Sequence, residues 1–468
     1  MLPLLLIAPA AASAQQQPAE PGETIIVTGT TLEESERALR ECLARKCPPK
    51  EDIDATLAHA ENLFVAGDYK EARRVARRSI GRNGRHAKAL PIDVSDLYRA
   101  HSRISAHLGE KEDYVRSTYA TRRTLERGLP ADDPRVLGAD FEVAGMYAAT
   151  HELDRARQVY RDIEEEANEL GRPDLAGLAR VRAAWLSEIG GNRPYARHKL
   201  REIAEDPDPA ARVARLTARV LLARLDRQEG KRDSSDTLVE ELRGVGGSRP
   251  VLLHAPRIDL GSRPMNEGGS VTRRMAMDNF DDRWIDVGFW ITPEGRVTDL
   301  EVLRESGPTH WAKPVLRSIE GRTYAPLDDP QGSYRVERYT YTSLWTTLTG
   351  TRMRVRSPDA RIEYLDLTAE PAADGGVTSK GDPPRRSPQE GARAAVAPFQ
   401  PFLPYELMGE RLGFLAGQNS TNSTGGGVGI ALHVAPPANF TTAPPLPVTW
   451  SAQRSASLRR CSRKSVRR

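Results

Sequence analysis

The chain has 468 residues and 51.7 kDa, with 39% hydrophobic and 28% charged residues and a mean hydropathy of −0.54. These values exclude a polytopic membrane protein and predict two folded parts with polar tails. The formal net charge of +4 vanishes once the seven basic residues after Ser451 (Arg454, Arg459, Arg460, Arg463, Lys464, Arg467, Arg468) are set aside, so the sequence pI near 8.9 is no argument for nucleic-acid binding.

Residues 1–14, MLPLLLIAPAAASA, are apolar apart from Ser13 and end in Ala12-Ser13-Ala14. That is the apolar region and small-residue cleavage site of a secretory signal peptide, which predicts export. The usual basic start is missing, so the true start is expected upstream, where an inner-membrane anchor would have room. As it stands, the segment spans about 21 Å of a roughly 30 Å hydrocarbon core and is too short for an anchor. Residues 15–31 form a Gln/Pro/Ala-rich linker around one β-prone run, Glu23, Thr24, Ile25, Ile26, Val27 and Thr28.

Export would place Cys42 and Cys47 in an oxidising compartment. Pro48-Pro49 disfavours helical geometry at Cys47, so the chain can turn there and bring the pair within bridging range. A local disulfide is expected, with two free thiols at a helix end as the alternative. Three cysteines exclude a disulfide scaffold or a cysteine-only zinc site, and Cys461 has no evident partner.

Residues 32–245 are rich in Ala, Leu, Arg and Glu, which is helical composition. A unit recurs there: Ala60, Leu63, Phe64, Gly67, Tyr69, Ala72 and Ala76, then Ala144, Tyr147, Leu153, Ala156 and Tyr160, then Ala184, Ser187, Tyr195 and Ala196. The spacing predicts a period near 40, with further units at Val94–Leu129 and Arg212–Leu242. Small residues let two helices approach, and Gly67 permits the turn that brings Tyr69 back onto the first helix. The unit resembles the tetratricopeptide (TPR) repeat at Gly67, Tyr69 and Ala72, with irregular helical hairpins as the alternative. The resemblance implies a TPR-like superhelix whose concave face holds a peptide or protein partner. The Arg-rich helix with Arg73, Arg74, Arg77 and Arg78 is expected to present a solvated face.

After Gly244-Val245-Gly246-Gly247 the composition turns to strand type. Ile285, Val287, Phe289 and Ile291 form the buried face of a strand that alternates with Trp284, Asp286, Gly288 and Trp290. Thr292-Pro293-Glu294-Gly295 is the turn into a second strand over 296–304. A short helix follows over 311–319, then a long last strand over 334–345 with Glu337, Tyr339, Tyr341 and Trp345 on one face.

This order, with Ser306-Gly307 and Arg322-Thr323-Tyr324-Ala325-Pro326, resembles the C-terminal domain of TonB, the transducer that engages outer-membrane receptors of Gram-negative bacteria. The whole chain is then an α + β multidomain protein: a TPR-like array over 32–245, a TonB C-terminal-like ββαβ domain over 250–367 and a disordered tail over 368–468. By this resemblance the last strand, Val336, Glu337, Arg338, Tyr339, Thr340, Tyr341 and Thr342, accepts a partner segment as an added strand, since an edge strand offers unpaired backbone groups. The alternative is an edge covered by the chain's own residues 352–367. The run Glu23–Thr28 resembles the TonB box, the receptor segment that such a domain takes up. Self-capping, dimerisation or competition with receptors would follow, although so short a run also arises by chance. The Tyr-Pro motif, a clear membrane anchor and the Pro-Lys/Pro-Glu spacer of that family are missing, which puts energy transduction in doubt.

From Thr368 the chain is Pro-, Gly- and Ala-rich, and Gly425-Gly426-Gly427-Val428-Gly429 follows no strand that would make it a phosphate loop. The sequons at Asn419 and Asn422 signal glycosylation only in a eukaryotic secretory pathway. The basic end binds anionic surfaces weakly or is a coding artefact. No catalytic or metal-binding motif occurs, His254 and His310 are isolated, and Asp281-Asp282 reads as a turn cap.

The expected protein is a non-enzymatic periplasmic adaptor without cofactor, metal or small-molecule substrate. Its partners would be envelope proteins, including TonB-dependent outer-membrane receptors, or a second copy of itself as a homodimer. A TonB-type transducer for receptor-mediated transport and a structural envelope scaffold are the alternatives.

Overall fold

In the computed structural model, residues 30–231, 250–258, 283–348, 350–357 and 360–368 are described, with Leu238, Leu242, Leu260, Phe280 and Asp281. The apolar start, the run Glu23–Thr28, the glycine cluster at 425–429, the sequons, Cys461 and the basic end all lie outside the described residues.

Among the described residues, ten helices form the first half: α1 (Leu32–Ala44), α2 (Pro49–Ala66), α3 (Tyr69–Asn83), α4 (Pro91–His107), α5 (Lys111–Gly128), α6 (Pro134–Ala149), α7 (Leu153–Glu169), α8 (Pro173–Ile189), α9 (Arg193–Ala204) and α10 (Arg212–Gln228). After α1, which starts in a capping box between Thr31 and Glu34, they pair as hairpins α2–α3, α4–α5, α6–α7 and α8–α9. The first helices of successive units begin at Pro49, Pro91, Pro134, Pro173 and Arg212, so the array is TPR-like with a repeat near 40 residues. Four of these starts carry proline in the first turn, where its missing N–H and fixed φ favour helix entry. That recurrence is as regular as the small-residue spacing.

The two rows of helices differ in burial. Over its last fourteen residues α4 is buried at all but a few positions, and α6 and α8 likewise, whereas α5, α7 and α9 each keep an exposed face. First helices also touch one another directly, α2 with α4 and α8 with α10. The first helices therefore line the inner side of the array. A helix buried on all sides needs a second cover.

That cover is the second half of the chain. It contains β1 (Leu252–His254), β2 (Trp284–Ile291), β3 (Val297–Ser306), α11 (Lys313–Glu320), β4 (Thr323–Tyr324), β5 (Ser333–Thr342), β6 (Trp345–Thr347), β7 (Arg354–Arg356) and β8 (Arg361–Asp366). Four strands make one antiparallel sheet in the order β3-β2-β5-β8, while β1 pairs with β4 and β6 with β7. The strand expected to run to Trp345 ends at Thr342, and Trp345 starts the β6–β7 hairpin. Gly295, at φ 78° in the β2–β3 turn, leaves a side chain no room, because a Cβ there would strike the Tyr324 carbonyl.

Ile285, Val287, Phe289 and Ile291 form a buried face with Val315 and Ile319 of α11, and this core continues through Leu252, Ala255 and Ile258 into α6–α10. On the opposite face of β2, Trp284 and Asp286 are buried as well. Trp284 packs with Val336, Leu365 and Leu367 against Leu39, Leu63, Phe64 and Tyr69 of the array. Strand alternation cannot report this second contact, since the pattern tells one face from the other but not what covers each. No helix among the described residues is long and apolar enough to cross a membrane.

Candidate partner-binding site

The sheet meets the array where the repeat signature lies. Gly67 closes α2 in the left-handed conformation at φ 91°, and the indole of Trp284 sits against it, 2.5 Å from where a Cβ would stand. The last carbonyls of α2 have no partner within the helix and carry the partial negative charge of a helix C-terminus. Arg338 of β5 supplies the cation: Nη1 donates to the Phe64 carbonyl at 2.7 Å and Nη2 to that of Val65 at 2.7 Å. Arg338 also donates through Nε to Asp286 Oδ1 at 2.6 Å, and both side chains are 0% exposed. Arg304 of β3 pairs with the same carboxylate at 2.6 Å. Trp284 lies under the pair, with the Arg338 guanidinium 4.0 Å from its ring centre.

Two residues along β5, on the same face, Thr340 Oγ1 lies 2.9 Å from the Tyr69 hydroxyl and 2.8 Å from His107 Nδ1 of α4. Burial, with Arg103, Arg338 and Arg361 nearby, holds the His107 pKa well below its usual value, so the ring is neutral there. Further along, Arg361 of β8 donates to the Ala149 carbonyl at the end of α6, and the Trp345 N–H donates to the Gly109 carbonyl at 2.7 Å.

Magnitudes separate attachment from orientation. Each buried apolar side chain contributes about 1.5–3 kcal/mol, whereas a buried ion pair roughly cancels its own desolvation. Trp284, Val336, Leu365 and Leu367 therefore hold the sheet on the array, and the Arg338–Asp286–Arg304 group sets its register.

Two expectations about the site change. Val336, Glu337, Arg338, Tyr339, Thr340, Tyr341 and Thr342 are not an edge. They pair with β2 on one side (Val336↔Gly288 to Thr340↔Trp284) and from Glu337 to Thr342 with β8 on the other. Val336 itself donates its N–H to Thr368 Oγ1 and accepts from the Leu367 N–H. The covering alternative from residues 352–367 is what the fold adopts, through Arg361–Asp366. The side chains are likewise engaged: Glu337 takes Arg322 at 2.8 Å and the Tyr364 hydroxyl at 3.0 Å, and Tyr341 is stacked between Phe280 and Trp311. The second change concerns the array, whose inner side is not open to a peptide. The chain's own sheet lies there.

Of the sheet's two edge strands, β8 is buried from Ile362 to Leu365 and ties to α6 through Arg361, whereas β3 is the more exposed. Its inner side pairs with β2, and among the described residues the outer side has only an isolated bridge just before it, Arg296 to Thr323. Two register shifts in the β2–β3 ladder, Asp299 at φ 51° and the charges of Asp299, Glu301, Arg304 and Glu305 give this edge the features that discourage unspecific pairing. Val302 is exposed on it and Trp290 on its neighbour.

Cys42 and Cys47 are joined as a disulfide across the α1–α2 turn, with Cα atoms 5.1 Å apart. Arg74, Arg77 and Arg78 are exposed, while Arg73 reaches Glu110 at 3.2 Å and also pairs with Asp113. His254 lies in β1 and His310 in the turn before α11. Asp281 pairs with Arg356 at 3.0 Å. Among the described residues no cluster of His, Cys, Asp or Glu has the arrangement to hold a metal ion.

Comparison with known proteins finds no matching family model and no matching curated protein. Among solved structures, BtubC (BKLC) from P. vanneervenii aligns at 14% identity and a TM-score of 0.35, over 45% of this chain and 87% of that one. A Podosopora anserina putative kinesin light chain with nearly identical TPR-like repeats aligns at 15% identity and a TM-score of 0.32, over 42% of this chain and 95% of that one. Its Q17M form aligns at 16% identity with the same score, over 42% and 94%.

Proposed function

We propose that the protein is a non-enzymatic adaptor of the cell envelope, in which β3 accepts an extended segment of a partner protein as a fifth strand. The observation that carries this reading is the difference between the sheet's two edge strands: β8 is buried, and β3 is the more exposed and keeps its outer backbone groups unpaired among the described residues. Main-chain bonds give affinity to such an added strand, and the side chains along the edge select it. Three carboxylates, Asp299, Glu301 and Glu305, against the one Arg304 favour a neutral or basic segment. The similarity of the domain's motif order to TonB supports envelope proteins, outer-membrane receptors among them, as the partner class. The apolar start and the Cys42–Cys47 bond support a periplasmic location.

The test is amide hydrogen exchange on a chain spanning residues 30–368, with and without a peptide of residues 21–31. Added protection confined to Val297–Ser306 supports the reading. No protection, or protection only in the array, contradicts strand addition by this segment.

The filled inner side of the array favours a second reading, a closed envelope scaffold. It predicts that β3 takes up no extended segment of any sequence.

A further inference from the structure

Four buried arginines among the described residues each reach an acceptor. Arg338 meets Asp286, Arg322 meets Glu337, Arg335 meets Asp366, and Arg224 reaches the Leu252 carbonyl. Arg182, on the inner helix α8, is 4% exposed, and its Nε, Nη1 and Nη2 meet no acceptor. One turn along the same helix Trp185 is 4% exposed with its Nε1 unmatched, and on α7 Tyr160 is 0% exposed with its hydroxyl unmatched.

Arg182 and Tyr160 meet at one ring. Arg182 Cζ stands 5.2 Å from the centre of Phe141 on α6, and the Tyr160 ring centre is 5.9 Å from the same point. Burial pushes the Tyr160 hydroxyl up in pKa, and the Arg182 guanidinium holds it back.

A guanidinium cannot shed its proton, and an aromatic face returns only part of the cost of taking its charge out of water. Among the described residues no carboxylate supplies the rest. We propose that Arg182, Tyr160 and Trp185 form a binding site for a small monovalent anion, a carboxylate or a halide, enclosed by α6, α7 and α8. The guanidinium fork offers parallel N–H groups in the geometry a carboxylate accepts, and the hydroxyl and indole N–H add two further donors. Their apolar surroundings suit one charge rather than the two of a phosphate. The site lies on the array's inner row, apart from the β3 edge, and stands independently of the strand-addition reading.

The experiment is thermal unfolding of the full chain at constant ionic strength, with sodium methanesulfonate replaced stepwise by sodium acetate or by sodium chloride. A saturable rise in midpoint of about 5 °C at a hundredfold excess over half-saturation is expected for one or both anions. Acetate alone assigns a carboxylate, chloride alone a halide, and both together a site that takes either. Arg182→Leu should lose the response yet melt no lower than the wild type in methanesulfonate, because it removes the uncompensated charge. Tyr160→Phe should keep the fold and shift half-saturation to higher anion concentration. No saturable rise in the wild type overturns the proposal, since water then suffices. So does the same rise in either variant, which marks a general salt effect.

Discussion

The Tyr69 hydroxyl lies 2.9 Å from Thr340 Oγ1, joining the repeat signature to the central strand of the sheet across 271 residues. The aromatic ring that packs an α-hairpin turn also anchors the domain that fills the array. Thr340 is shared with His107, so the two ways of breaking this contact differ. Tyr69→Phe should cost about 1 kcal/mol in denaturant unfolding, and Thr340→Val, which takes the shared hydroxyl from both partners, about 2–3 kcal/mol.

The buried charge group predicts an order of effects. Asp286→Ala leaves Arg338 and Arg304 without their common carboxylate and should cost about 3–5 kcal/mol. Arg304→Ala should cost under about 1 kcal/mol, because Arg304 is one-third exposed and Arg338 still satisfies the aspartate. Unfolding midpoints of the two variants check this, and equal losses would contradict it.

Gly67 and Gly171 both follow helix ends at positive φ, 91° and 66°. A Cβ at Gly171 meets nothing within 4 Å, whereas at Gly67 it meets the Trp284 indole. Gly171→Ala should therefore cost about 1 kcal/mol, from backbone conformation alone. Gly67→Ala should cost at least about 2 kcal/mol more by displacing the sheet. Near-equal melting points would show that Trp284 is not held there.

Two buried groups between α2, α4 and α5 give stability a pH profile. Burial, only partly offset by Arg103, pushes the Glu61 pKa up to about 8, so the folded state keeps a proton that the unfolded chain releases near its ordinary value of 4.5. Stability from this group is full below about 4.5 and falls as pH rises towards 8. Burial lowers His101 to about 4 against 6.5 unfolded, so its contribution is lost as pH falls through that window. Glu61→Gln should remove the alkaline decline, gaining on the order of 2 kcal/mol at pH 8.5 with little change near pH 5. Melting curves across pH 4–9 check both signs.

Much of the architecture was legible where a residue's role is local. Gly67, Tyr69 and Ala72 marked a hairpin that exists, the period near 40 placed units that appear as α4–α5 and α6–α7, and the alternation from Ile285 to Ile291 marked the core face of β2. The proline starts of the inner helices at 49, 91, 134 and 173 offered the same period and went unread. What failed was pairing at long range. Tyr339 and Arg338 look alike on an edge or a central strand, and only the placement of Arg361–Asp366 decides between them. The docking role of Trp284, Thr340 and His107 left no local trace, because each acts on a partner more than 200 residues distant in the chain.

Native-state hydrogen exchange of the full chain tests the central claim most directly, namely that β5 is enclosed and β3 is the exposed edge strand. The account predicts that amides of Val336–Thr342 exchange among the slowest in the protein, while outward-facing amides of Val297–Ser306 are the fastest in the sheet. Rapid exchange along Val336–Thr342, with protection along Val297–Ser306, would contradict it.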